Sequence, residues 1–224
     1  EGVIPVPPEL WVMPRSLPIH PGRMWCHARM VYLPMSWLYG RRSTCRTTPL
    51  LEEIRGEIVD RPPESIDWEG SMTDVAETDE NTPISATYEF LNQFIVLYEK
   101  RPIGPLREHA LEFVLDQIDR EDQNTDYICI GPINKLLHTL VWHFIDPEGE
   151  ELEAHLDQLP NYLWHADDGT KMQGYNNSQL WDTTFAVQSI CATGRQEEYR
   201  ETLGRAFGYI DDNQVLEDEP QREF

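Results

Sequence analysis

The chain has 224 residues, forty of them acidic and eighteen basic, for a formal charge of -22. Phosphate binding needs a basic stripe, so this balance argues against nucleic acid as a partner and against a polybasic membrane tether. Hydrophobic residues make up 40%, and seven Trp, nine Tyr and seven Phe are ample for a packed interior, so the chain reads as folded with an acidic surface. No run of about eighteen apolar residues is present, so no segment is expected to span a bilayer as a helix. Attachment to a membrane by one face stays open. The chain opens at Glu1 without a Met, a basic n-region or an apolar h-region, and no signal peptide is expected. Cys26, Cys45, Cys129 and Cys191 lie far apart, the pattern of reduced, mostly buried thiols in an intracellular protein.

The first twenty residues are rich in proline, which predicts an ordered or draped loop rather than a helix. Thr48-Pro49 with Glu52 and Glu53 reads as an N-cap, a first-turn proline and dipole-favoured acids, opening a helix to about Ile58. Leu91, Phe94, Ile95 and Tyr98 stripe a helix from about Ser85 to Lys100. Leu111, Val114, Leu115 and Ile118 mark another after Pro105. Ile133, Leu136, Leu137, Leu140, Val141 and Phe144 follow i, i+3, i+4, i+7 spacing. Leu180, Thr184, Val187 and Cys191 edge a helix ending near Gly194, and Tyr199, Leu203, Ala206, Phe207 and Ile210 line the last one. Alternating strands are not expected, and Asp146 to Glu151 reads as an acidic connection. Successive helices with brief loops predict an all-α fold of helical hairpins. An open superhelix, a closed α/α toroid and an irregular helical domain all satisfy this; the lack of a fixed period favours the toroid.

No metal site is expected. His138 and His143 are five apart and point roughly 140° away from each other on a helix, and Cys26 beside His27 is a poor geometry for one ion. Phosphate cradles and G-x-S-x-G elbows are absent. The pairs Asp167-Asp168, Glu197-Glu198 and Asp211-Asp212 read as solvated. Two segments stand apart. In the first, Pro21-Gly22 turns the chain; if Trp25 to His27 is extended those side chains share one face, and a helix from near Ala28 would stack Ala28 and Tyr32. Trp25, His27 and Tyr32 would then surround one cavity; an aromatic core with a hydrogen-bonded histidine is the plainer alternative. In the second, Asn177 or Ser178 caps the helix that carries Trp181, with Tyr175 just outside it and Asp182 a dipole-favoured acid. Ring faces around a dry cavity attract a cation by about 0.5–2 kcal/mol each. They stabilise it without offering a base that would quench it.

These blocks resemble the oxidosqualene cyclases, the sterol- and triterpene-forming enzymes. His20-Pro21-Gly22-Arg23-Met24-Trp25-Cys26-His27, then Met30 to Ser36, is similar to one family block. Tyr127 to Lys135, and Lys171 to Gly174 with Gln179-Leu180-Trp181-Asp182, are similar to others in the same order, and the likeness runs on to Gln214 to Asp218. The resemblance implies an internal piece of a longer enzyme built from two α/α toroids. Residues 1–165 would be part of the inserted toroid and 166–224 the start of the second, catalytic one. It implies a lipid substrate, (3S)-2,3-oxidosqualene, and no metal or redox cofactor. The catalytic acid is expected in a motif downstream of Phe224, so this piece alone is expected to be inactive. Trp25, His27, Tyr175 and Trp181 would line the cavity and stabilise cations; Ala28 and Tyr32 would lie at the substrate channel. Ala28 departs from the cysteine of many relatives, and Asn177 from the usual glycine. Tyr175 stands where cycloartenol synthases carry tyrosine and animal and fungal lanosterol synthases threonine, which favours a cycloartenol-type product over lanosterol. Monotopic contact with the endoplasmic reticulum membrane or a lipid droplet is also implied. Rival readings are an α/α-toroid glycoside hydrolase, whose paired acids would face one cleft, a helical-repeat binding protein with a concave face, and squalene–hopene cyclisation.

Overall fold

Helix α1 spans Cys26–Arg41, α2 Pro49–Ile58, α3 Ala86–Glu99, α4 Gly104–Asn124, α5 Pro132–Ile145, α6 Glu150–Asp157, α7 Gln179–Ala192 and α8 Arg200–Asp212. These come from a computed structural model that describes residues 4–17, 20–59, 61–62, 65–68, 70–73, 76, 78–79, 85–172, 174, 179–214 and 216. These residues are predominantly helical, as expected, with one short two-stranded hairpin.

Local chemistry sets the helix ends. Thr48 Oγ1 accepts from the Leu51 amide at 3.3 Å, with Pro49 in the first turn of α2, as the cap signature predicts. α4 and α5 also open with proline in the first turn. The proline-rich start forms two short 3-10 turns, Pro8–Val12 and Pro21–Arg23.

The core lies where α1, α4 and α5 meet under the first 3-10 turn. Trp11, Leu33, Trp37, Val114, Ile118 and Val141 form its centre, with Leu111, Phe113 and Phe144 packed around them. Trp11 Nε1 donates to Ser36 Oγ at 3.2 Å, so its polar edge is satisfied inside the core. A second set of contacts holds the first 3-10 turn to α3 and α4. Arg107 Nε donates to Glu9 Oε1 at 2.6 Å, its Nη2 to Glu99 at 2.5 Å, and Tyr98 Oη to Glu9 Oε1 at 2.7 Å. α7 and α8 pack on each other as a hairpin, and neither contributes a buried residue.

Several expectations need correcting. A two-stranded antiparallel hairpin is present, β1 Leu163–Ala166 and β2 Gly169–Met172, in register Leu163↔Met172 and Ala166↔Gly169. Its strands are too short for alternation to show, and its turn depends on Gly169 at φ 128°, a conformation open to glycine. The acidic connection from Asp146 is interrupted by α6, whose first turn carries Glu150, Glu151 and Glu153 against the helix dipole. Cys129 alone of the four cysteines is buried, and Cys26, Cys45 and Cys191 are exposed. The largest departure is in α5. Ile133 and Leu136 of its apolar stripe are 63% and 57% exposed, while Asn134, Lys135 and His138 are buried. Among the described residues no helix is long and apolar enough to cross a membrane.

Candidate functional site

The Trp25 block is built by a histidine that holds a turn. The Gly22 amide donates to His20 Nδ1 at 2.9 Å, and His20 Nε2 lies 3.3 Å from the Trp11 carbonyl. With Nδ1 accepting, the ring proton is on Nε2, so one tautomer satisfies both contacts. His20 is buried and ties the Pro21–Gly22 turn to the core. Trp25 then caps α1 in extended backbone (φ -56°, ψ 144°), and its carbonyl accepts from the Arg29 amide at 3.0 Å. The helix starts two residues earlier than Ala28, yet Trp25 and His27 still share a face. Their rings meet edge to face, with centroids 4.4 Å apart and planes at 69°, a favoured aromatic geometry.

Trp25 is 66% exposed and Ala28 is exposed, while His27 is half-buried. Tyr32 turns the other way: its ring packs on Trp11 at 5.4 Å and its hydroxyl reaches the Pro7 carbonyl at 3.5 Å. Trp181, in the first turn of α7, is 62% exposed and lies edge-on to Phe185 at 6.3 Å. Asp182 is exposed in the same turn. Tyr175, Asn177 and Ser178 lie outside the described residues. The structure therefore brings Trp25 and His27 together, aims Tyr32 at the core, and carries Trp181 on a separate hairpin. An apolar groove of about 450 Å³, lined by Pro7, Leu10, Met13, Phe94, Ile95 and Tyr98 among others, shares no residue with the Trp25 block.

A second concentration of chemistry, which the apolar period hid, lies between α4, α5 and α6. Asp122, fully buried, accepts from His138 Nδ1 at 2.7 Å and Trp142 Nε1 at 2.8 Å; the Cys129 thiol approaches at 3.5 Å and His155 Nε2 stands 3.1 Å away. Burial alone would raise its carboxyl, but the hydrogen bonds of His138 and His155 overcome that and hold it well below the usual carboxylate range. Lys135 Nζ donates to the Tyr127 carbonyl at 2.6 Å and to His155 Nδ1 at 2.8 Å; burial lowers it to about 8, against the pull of Cys129 and Asp122. Glu121 is pushed up from 4.5 to about 7, first by burial, and its carboxylate stands 3.4 Å from His138 Nε2. Burial, then Asp122 and Glu121, push the Cys129 thiol far up.

Donor atoms of Asp122, Cys129 and His138 gather within 4.8 Å of one another. Their 2.7 and 3.5 Å separations lie within hydrogen-bonding range. The cluster serves structure. It anchors a strained connection between α4 and α5, where Asp126, Tyr127 and Cys129 have φ of 49°, 59° and 64°. The Tyr127 amide donates to the Asp122 carbonyl at 2.7 Å, the Cys129 amide to Thr125 Oγ1 at 3.0 Å, and Tyr162 Oη to the Ile128 carbonyl at 2.8 Å. Such backbone persists only where the surroundings over-determine it. The sequence signal was available: Asn134, Lys135 and His138 share one face of α5 at i, i+1 and i+4.

The family model of the squalene-hopene cyclase N-terminal domain matches residues 1–168. The chain belongs to the oxidosqualene cyclase family. Its cyclase N-terminal domain is of the α/α toroid type. Among curated relatives, the chain is 40% identical over 220 residues to a cycloartenol synthase of Dictyostelium discoideum, covering 97% of this chain and 31% of that protein. It is 36% identical over 223 residues to a lanosterol synthase of Homo sapiens, covering 98% and 30%. It is 34% identical over 224 residues to an alpha-onocerin synthase of Lycopodium clavatum, covering 98% and 29%. The chain thus spans about 30% of the length of these cyclases. The hydrolase and binding-module readings give way to the cyclase family. The pairs Asp167-Asp168, Glu197-Glu198 and Asp211-Asp212, which read as solvated in the sequence, are exposed.

Proposed function

We propose that the chain is a stretch of an enzyme that cyclises (3S)-2,3-oxidosqualene, with Trp25 and His27 on the cavity wall and Trp181 offering a ring face to a cationic centre. The observation that carries this is a family likeness running the length of the chain through the blocks that hold these residues. The edge-to-face pair of Trp25 and His27 supports it. Trp25 stands at the N-cap position of α1 with its ring edge-to-face against His27, which favours one orientation of its face. A ring face attracts a cation by about 0.5–1 kcal/mol when exposed, as Trp25 is in this chain, and by about 2 kcal/mol once an enclosed cavity desolvates it. The indole nitrogen's lone pair is delocalised into the ring rather than free to trap the cation. Protonation of the epoxide requires an acid, which this reading assigns to the part of the enzyme beyond residue 224. Residues 1–165 would belong to one toroid and 166–224 to the start of the second. The family match to residue 168 and the separate α7–α8 hairpin support that boundary.

Tyr175 carries the product reading, cycloartenol-type rather than lanosterol. A phenol in place of a small hydroxyl narrows the space in which the last cation rearranges and so selects which proton is lost. The substrate being a lipid, contact of one face with a membrane or droplet surface is part of the same proposal. The test is expression of a full-length enzyme containing this segment with oxidosqualene, and mass-spectrometric analysis of its product. A cycloartenol-type product is expected, with lanosterol-type skeletons rising at least several-fold in Tyr175→Thr. An unchanged product ratio in that variant removes the role of Tyr175. Residues 1–224 alone are expected to give no cyclised product; turnover by them overturns the assignment of the acid.

A further inference from the structure

Helix α1 carries Pro34 in its interior. Proline has no amide hydrogen, so it cannot serve the carbonyl four residues earlier, that of Met30, and its ring presses on that carbonyl. Met30 packs against the core, where a carbonyl left without its helical donor needs a partner from the protein.

That partner is on α5. Asn134 Nδ2 donates to the Met30 carbonyl at 2.8 Å. Asn134 is 2% exposed. Its Oδ1 accepts from the Ile130 amide at 3.1 Å, and its Nδ2 also lies 3.0 Å from His138 Nε2. An accepting Nε2 places the His138 proton on Nδ1, facing Asp122 at 2.7 Å. A line of polar contacts therefore runs from a carboxylate on α4, through His138 and Asn134 on α5, to the backbone of α1 at the point where proline interrupts it. Trp25, His27, Ala28 and Tyr32 all lie on the segment before Pro34. With that amide missing, the partner that holds the Met30 carbonyl bears on how the segment before Pro34 is directed.

We propose that Asn134 is a positioning residue: it replaces the donor that Pro34 removes and so sets the direction in which the first half of α1 presents Trp25 and His27. Only the purpose of that presentation, a cavity wall facing substrate, rests on the cyclase reading. The interaction itself is a property of this chain.

The test is a double-mutant cycle in the 224-residue chain, with Asn134→Leu, Pro34→Ala and the two together. Pro34→Ala returns an amide hydrogen that reaches Met30 within the helix. If Asn134 substitutes for that donor, the unfolding equilibrium constant rises on Asn134→Leu by about tenfold more with Pro34 present than in the Pro34→Ala background. Equal penalties in the two backgrounds overturn the proposal. Should the leucine chain not fold, Asn134→Asp at pH 8 serves the same cycle, because it keeps the acceptor for the Ile130 amide and lacks the donor. The positional readout is the fluorine resonance of 5-fluorotryptophan at Trp25, assigned with Trp25→Phe. It is expected to shift in Asn134→Leu and to return towards its original position in the double variant; no shift in either overturns the positioning role. In a full-length enzyme containing this segment, the same pair of variants is expected to change the product ratio and then restore it. A fluorine shift without a product change leaves the Asn134 clamp standing and counts against Trp25 as a cavity residue.

Discussion

Glu121 and Asp122 are consecutive carboxylates with opposite behaviour, and burial alone does not distinguish them. Asp122 is met by His138, His155 and Trp142 and stays ionised well below its ordinary range. Glu121 stands against His138 Nε2 at 3.4 Å, on the side that Asn134 already occupies, and is raised to about 7. The two groups act on stability in opposite pH windows. Asp122, depressed in the folded state, contributes above its unfolded value and loses that contribution as pH falls through its folded one. Glu121, raised in the folded state, contributes fully below about 4.5 and loses that contribution as pH rises through about 7. Glu121→Gln is therefore expected to raise stability at pH 8 by roughly 2–3 kcal/mol and to flatten the profile between pH 5 and 7. Urea unfolding midpoints at pH 5 and 8 check this; a variant whose profile parallels the parent's shows that Glu121 does not hold the proton.

Helix α5 shows how far an element can be read from its period. The spacing from Ile133 to Phe144 located it, and the helix runs from Pro132 to Ile145. The face was another matter. Towards its start the buried side is Asn134, Lys135 and His138, because each has a partner on a neighbouring element or connection. Hydrogen-bonded polar groups are tolerated in a core, and Ile133 and Leu136 are left facing outwards. Two substitutions about 3 Å of helix rise apart separate these readings. In this chain Leu136→Gln is expected to change stability by no more than about 0.5 kcal/mol, and His138→Leu to cost roughly 2–4 kcal/mol by stripping Asp122 and Asn134 of a partner. Chemical denaturation of both variants is the check. A larger loss at Leu136 than at His138 would restore the apolar face to the interior.

At the scale of the whole molecule, stability is unevenly distributed. The α1–α4–α5 core and the Asp122 cluster hold most of the buried residues, whereas α2, α7 and α8 have none. Trp181, Phe185 and Phe207 are exposed on the α7–α8 hairpin, the aromatic surface that the proposed second toroid would cover. Regions with few buried contacts open locally at little cost. Amide hydrogen exchange in the 224-residue chain is therefore expected to be at least about a hundredfold faster in α7 and α8 than in α4 and the buried side of α5. Equal protection across these helices would show that the hairpin belongs to the core's cooperative unit.

Helix spans were legible because proline, caps and dipole-favoured acids act within one turn, as at Thr48–Pro49 and Pro105, and the family was legible because its blocks are contiguous runs such as His20 to His27. β1, β2 and α6 were missed because four to eight residues carry too little period to outweigh a turn signal. The pairing of Trp25 with His27 was one of two possibilities in the sequence, and the His20-anchored turn decided it. Which side of α5 faces inwards, and the gathering of Asp122, Cys129, His138 and His155, were decided only by the tertiary structure. Helix formation is a property of neighbouring residues, but burying a polar group depends on a partner far along the chain, and no local pattern records where that partner will be.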